Sequence, residues 1–195
     1  IMKTMTSLER CMAVLNGGIP DFLPVVPQSF MFAVETAGMK ISDVNKCGRK
    51  MAEAHLISLE KYGYDGCIVD FDDATIAEAV GAKVIFREDE PAIVDEEHPA
   101  LKDLRDVYDW PLPDPLKSGR ICEWLEATSR LYEKIGDRVF IMGRADQGPF
   151  SIACLLRGTT QFMMDLMTED SALIRDVLDY CRRVSVVFAK AQKDA

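Results

Sequence analysis

The chemistry-bearing residues of this chain concentrate at the end of one apolar run, Cys67-Ile68-Val69-Asp70-Phe71-Asp72-Asp73. The run follows Asp65-Gly66 and reads as a buried strand over Asp65–Phe71. Side chains alternate along a strand, so Asp70 and Asp72 are expected to project to one face at its C-terminal end. Carboxylates in that position accept hydrogen bonds from the N–H and O–H groups of a ligand, and parallel α/β barrels carry their chemistry at this end of their strands. A second reading competes. The same carboxylates can cap a helix predicted over Thr75–Val80, and for Asp70 and Asp73 a cap or a solvated loop is the favoured reading.

Further candidates stand at equivalent junctions. Gln28 and Ser29 follow the short apolar segment Phe22–Pro27, placed to face a ligand. Arg144 and Asp146 follow a second buried strand, Arg138–Gly143, either lining the same mouth or pairing with each other. Gly148-Pro149 opens a helix whose free backbone N–H groups, with Ser151, can cradle a carboxylate or phosphate. An ordinary helix start with Ser151 near the cap explains the same pattern. His55 lies on an apolar helical stripe with Met51, Leu59 and Tyr62 and reads as a core or boundary residue.

The elements that position these groups alternate between strand and helix. Thr6-Ser7-Leu8-Glu9 is a capping box, and Gly17-Gly18 ends the helix it opens. Proline at both ends makes Pro24–Pro27 fit the first strand of a sheet. A helix is predicted from about Asp43 to Tyr62. Lys83–Phe86 and Ala92–Val94 pair as a hairpin outside the main sheet. A proline-rich loop, Asp109–Pro115, introduces an amphipathic helix over Ile121–Ile135. Leu173, Val177, Cys181, Val184, Phe188 and Ala191 mark a long final helix. Met163, Met164 and Met167 are expected to fill an irregular core, or else to line an adaptable pocket.

Such alternation predicts an α/β fold with a parallel sheet. With about three βα units, it reads as the front part of a (β/α)8 barrel carrying an N-terminal helix and a small hairpin. Residues 1–195 are expected to be the N-terminal part of one barrel domain truncated after Ala195, inactive alone. The net charge of −9 leaves no basic stripe for nucleic acid. No window approaches the about 18 apolar residues of a membrane span, which points to a cytoplasmic protein. The six cysteines form no C-x-x-C pair and only two histidines exist, so local spacing assembles no zinc site. Reduced thiols are expected, four of them on apolar faces.

In order and spacing, the Ser7-Leu8-Glu9-Arg10 helix, the Pro24–Pro27 segment, the stretch Asp65–Gly81 and Gly148-Pro149-Phe150-Ser151 resemble the uroporphyrinogen decarboxylase superfamily. That resemblance implies a (β/α)8 barrel and one of two chemistries. One branch decarboxylates the acetate arms of uroporphyrinogen without a cofactor. The other moves a methyl group between a corrinoid, carried by a partner corrinoid protein, and a thiol such as coenzyme M, with zinc activating the thiol. On this resemblance Asp72 matches the aspartate that binds the substrate's pyrrole nitrogens. Two departures favour the methyltransferase branch. Gln28-Ser29-Phe30-Met31-Phe32-Ala33 lacks the arginines that bind substrate carboxylates, and the decarboxylase's tyrosine falls on Cys154 or Leu155. The zinc ligands of that branch, a His-x-Cys pair and a distant Cys, are expected beyond Ala195. A decarboxylase and a non-catalytic barrel remain the alternatives.

Overall fold

The computed structural model describes residues 5–70, 72–144 and 147–195; Phe71 and Asp146, both named above, lie outside them. Along the chain run α1 (Ser7–Leu15), α2 (Phe30–Thr36), α3 (Ile41–Val44), α4 (Gly48–Tyr62), β1 (Gly66–Val69), α5 (Thr75–Ala79), β2 (Val84–Ile85) and β3 (Ile93–Val94). There follow α6 (Ile121–Ile135), β4 (Phe140–Gly143), α7 (Pro149–Arg157), α8 (Thr159–Thr168) and α9 (Ser171–Asp194). The α/β class is as expected.

Two compact units share these elements. The first draws on Ile1–Phe71 and Glu123–Arg144. In it β1 and β4 pair in parallel, Gly66 opposite Phe140 and Val69 opposite Gly143. A Cβ on Gly66 would lie 2.6 Å from the Phe140 carbonyl oxygen, so the pairing requires glycine there. The Thr6 capping box starts α1 as predicted, and the Leu8 N–H donates to the Arg138 carbonyl at 2.9 Å. The Trp124 indole donates to the Val69 carbonyl at 2.8 Å, joining α6 to the end of β1. Arg10, buried, reaches Asp65 and Asp21 and lies over the Phe22 ring.

The expected strand at Pro24–Pro27 does not form. Both prolines lack an N–H, and the Val25 N–H is taken by the Asp65 carboxylate at 2.8 Å. One backbone bond remains, from the Asp65 N–H to the Val25 carbonyl. The helix expected over Asp43–Tyr62 is broken at extended Cys47. At Gly48 the backbones of α4 and α6 meet: a Cβ would sit 2.1 Å from the Glu123 carbonyl oxygen. Gly63, at φ +65, ends α4 in the left-handed region.

The second unit comprises Asp72–Cys122 and Ala145–Asp194. Its hairpin pairs Val84 with Val94 and Ile85 with Ile93, as the sequence predicted. Leu173, Val177, Cys181, Val184 and Phe188 form the buried stripe of α9, and the Tyr180 hydroxyl donates to the Pro111 carbonyl. The methionines of α8 contradict the core expectation. Met163, Met164 and Met167 are 50, 55 and 84% exposed, because α8 turns Phe162 and Asp165 inward instead. No helix among the described residues is long and apolar enough to cross a membrane.

Candidate functional site

Three of the residues singled out in the sequence meet in the first unit. Gln28 follows the proline-bounded segment, Asp70 follows β1, and Arg144 follows β4. The parallel register sets Val69 beside Gly143, so the next residues, Asp70 and Arg144, leave the sheet at the same end. Arg144 Nη1 donates to both Asp70 oxygens at 2.6 Å, and Gln28 Nε2 donates to Oδ2 at 3.0 Å. The Asp70 side chain is 3% exposed and that of Arg144 14%. Charge-assisted bonds this short make a firmly held ion pair. Arg144 thus pairs with a carboxylate 74 residues away, a pairing the sequence reading did not anticipate. Ser29, next after Gln28 in the chain, is buried, and its hydroxyl has no hydrogen-bond partner among the described residues.

Asp72 has other work. Its Oδ1 accepts the N–H groups of Ala74 and Thr75 and the Thr75 hydroxyl, at 2.9, 3.0 and 3.0 Å. Arg120 donates to Oδ2 at 2.7 Å and to Oδ1 at 3.3 Å, and the Asp72 side chain is wholly buried. This corrects the picture of a carboxylate open to a ligand: the geometry is that of the capping alternative, reinforced by a buried cation. Arg120 also donates to Glu78 at 2.6 Å and lies over the Phe86 ring. Arg120 was missed in the sequence. A lone arginine between Gly119 and a helix gives no local signal when its partner is 48 residues away.

The remaining candidates sit separately in the second unit. Gly148 caps α7 with no side-chain hydrogen bond, Pro149 takes the first helical position, and Ser151 is exposed. Ser151 therefore does not cap the helix. Asp73 accepts from the Gln147 amide through its carbonyl and its carboxylate. Leu155, with Ile85, Lys83 and His98, lines a cavity of about 810 Å³ beside the hairpin.

His55 is the core histidine the stripe implied: it is fully buried, and burial lowers its pKa to about 4. Cys11, Cys67, Cys154 and Cys181 are buried free thiols, matching the count expected on apolar faces. Burial pushes the Cys67 and Cys181 thiols up to about 12. Among the described residues the one group with metal-ligand spacing is Asp95, Glu97 and His98. It contains no thiolate, and Asp95 already accepts from Lys83 at 2.7 Å. These residues do not fit a thiolate zinc centre.

Comparison with known proteins supplies the context for this geometry. The structure superposes on a methyltransferase from Methanosarcina mazei with a TM-score of 0.83 and 25% sequence identity. The match covers 97% of this chain and 56% of that one, so the chain spans little more than half of that protein's length. No curated protein matches. The family model for uroporphyrinogen decarboxylase matches residues 6–195, nearly the whole sequence, and the chain therefore belongs to the uroporphyrinogen decarboxylase family.

Proposed function

We propose that the protein is a methyltransferase of this family, built on a (β/α)8 barrel and moving a methyl group between a corrinoid and a thiol acceptor in the cytosol. The observation that carries the reading is the state of the guanidinium nearest the strand ends. Arg144 is held by Asp70, and the loop Gln28–Ala33 contains no arginine. Decarboxylation of a substrate bearing several carboxylates calls for guanidinium partners that stay available to it. Methyl transfer to a thiol makes no comparable demand for several guanidinium partners. The likeness to the methyltransferase from Methanosarcina mazei supports the same branch.

In this reading Gln28, Asp70 and Arg144 form the polar floor of the substrate face, and Ser29 adds a hydroxyl beside it. A corrinoid protein would deliver the methyl group. Zinc, where bound, would supply a deprotonated thiol at neutral pH. Its ligands are not the residues described above, and no step is drawn through it.

The test is spectroscopic. The full-length protein is incubated with methylcobalamin and 2-mercaptoethanesulfonate, and loss of the methylcobalamin absorbance is followed. Demethylation that depends on protein and thiol supports the reading. Conversion of uroporphyrinogen to coproporphyrinogen at about 1 per second or faster would replace it with the decarboxylase. Neither activity would leave a non-catalytic barrel.

A further inference from the structure

We infer that the cavity of about 810 Å³ beside the hairpin is a binding site for a small amine. The hydrocarbon body of the ligand lies on Ile85, Ile93 and Leu155, and its ammonium group meets Glu96 and Glu97. The whole lining belongs to the second unit, and the inference does not depend on the methyltransferase reading. The volume falls within the range of about 300–1,000 Å³ usual for small-molecule sites.

The pairing register builds the wall. Ile85 stands opposite Ile93, and one step beyond Val84 and Val94 the Asp95 N–H donates to the Lys83 carbonyl at 2.8 Å. Lys83 therefore stands opposite Asp95. Side chains two apart share a face of a strand, so an apolar pair and an ionic pair lie side by side on one face of the hairpin. Ile85 and Ile93 are 37 and 42% exposed, and with Leu155 of α7 they line the cavity. That exposed hydrocarbon is surface a ligand gains by covering.

Charge selects the head of the ligand. Both basic side chains in the lining are committed to one carboxylate: Lys83 donates to Asp95 Oδ2 at 2.7 Å, and His98 Nδ1 lies 3.1 Å from the same oxygen. The Asp95 side chain is only 7% exposed, so it has little surface left for a ligand. Glu96 and Glu97 follow it in an exposed turn, and their carboxylates have no partner among the described residues. Asp73 adds a fourth carboxylate, which accepts from the Gln147 amide. Four carboxylates against one lysine and one histidine attract a cation and repel an anion.

Methyl resonances of the full-length protein, labelled at isoleucine and leucine, test this. The signals of Ile85, Ile93 and Leu155 are followed during titration with n-butyl-, n-hexyl- and n-octylammonium, and with hexan-1-ol and hexanoate as controls. All three residues should respond, and each two added methylenes should tighten binding by about threefold to tenfold. Hexylammonium should bind about threefold more tightly than hexan-1-ol, the worth of one exposed ion pair, and the difference should shrink as salt is raised. Glu96→Gln with Glu97→Gln should remove that difference and leave hexan-1-ol unchanged. Ile85→Thr with Ile93→Thr keeps β-branched residues in the strands, and with Leu155 as reporter should flatten the dependence on chain length.

Methyl groups unmoved at about 10 mM hexylammonium, tenfold above a Kd of about 1 mM, would overturn the inference. So would hexanoate binding as tightly as hexylammonium, a preference for the cation that survives loss of Glu96 and Glu97, or a chain-length dependence that survives loss of Ile85 and Ile93.

Discussion

Replacing Asp72 by Asn separates a structural carboxylate from a ligand-binding one. In the wild type both Asp72 oxygens are engaged: Oδ1 by two backbone N–H groups and the Thr75 hydroxyl, Oδ2 by Arg120 at 2.7 Å. Asparagine caps a helix about as well as aspartate, so the bonds to Ala74 and Thr75 survive the change. The ion pair does not. Removing one partner of a buried pair costs about 3–5 kcal/mol, chiefly because the other charge is left behind. Here Glu78, 21% exposed, still accepts from Arg120 Nε at 2.6 Å and holds part of that charge. The expected cost is therefore about 2–3 kcal/mol, below the full range for an isolated pair. For a chain of this size that corresponds to a fall in melting temperature of about 5–10 °C. Asp72→Ala should lose about 1 kcal/mol more, because the cap goes as well. Thermal unfolding followed by circular dichroism measures both, and Arg120→Met with the double variant closes a cycle whose coupling should reach about 1–3 kcal/mol. An Asp72→Asn protein melting within about 1 °C of the wild type would refute the argument. Unchanged melting with methyl transfer lost would place the carboxylate against a ligand.

Two further outcomes follow from the same packing. His55 folds uncharged with its pKa lowered to about 4 by burial, whereas in the unfolded chain it titrates near about 6.5. The unfolded state thus binds the extra proton between those values, so stability should fall as pH drops through that window, by about 3 kcal/mol in total. Chemical denaturation from pH 7 to 4 should show this slope in the wild type and lose it in His55→Leu; an identical slope in both would remove His55 from the account. Gly48→Ala should destabilise by the upper part of the about 1–3 kcal/mol range for overpacking, since its Cβ would meet the Glu123 backbone oxygen at 2.1 Å. A melting temperature equal to that of the wild type would show that α4 and α6 separate freely.

Much of the local architecture was legible because its causes are local. The Thr6–Glu9 capping box lies within one turn, and it starts α1 where the sequence placed it. The proline-rich loop announced the amphipathic helix α6 over Ile121–Ile135, and the three- and four-residue recurrence of apolar side chains gave α9 its buried stripe. Both hairpin strands were visible as short apolar runs around a turn. Where two backbones meet, periodicity carries no information. The break before Gly48 and the lost strand at Pro24–Pro27 depend on what lies opposite, a helix in one case and the Asp65 carboxylate in the other. Charged residues follow the same rule more strictly. The sequence placed Gln28, Asp70 and Arg144 at chain junctions but offered a partner for Arg144 alone, the neighbouring Asp146, and it gave Arg120 no role at all. Their pairing across 42, 74 and 48 residues is chosen by the tertiary structure, because a buried charge must be matched by whichever group the fold brings within about 3 Å.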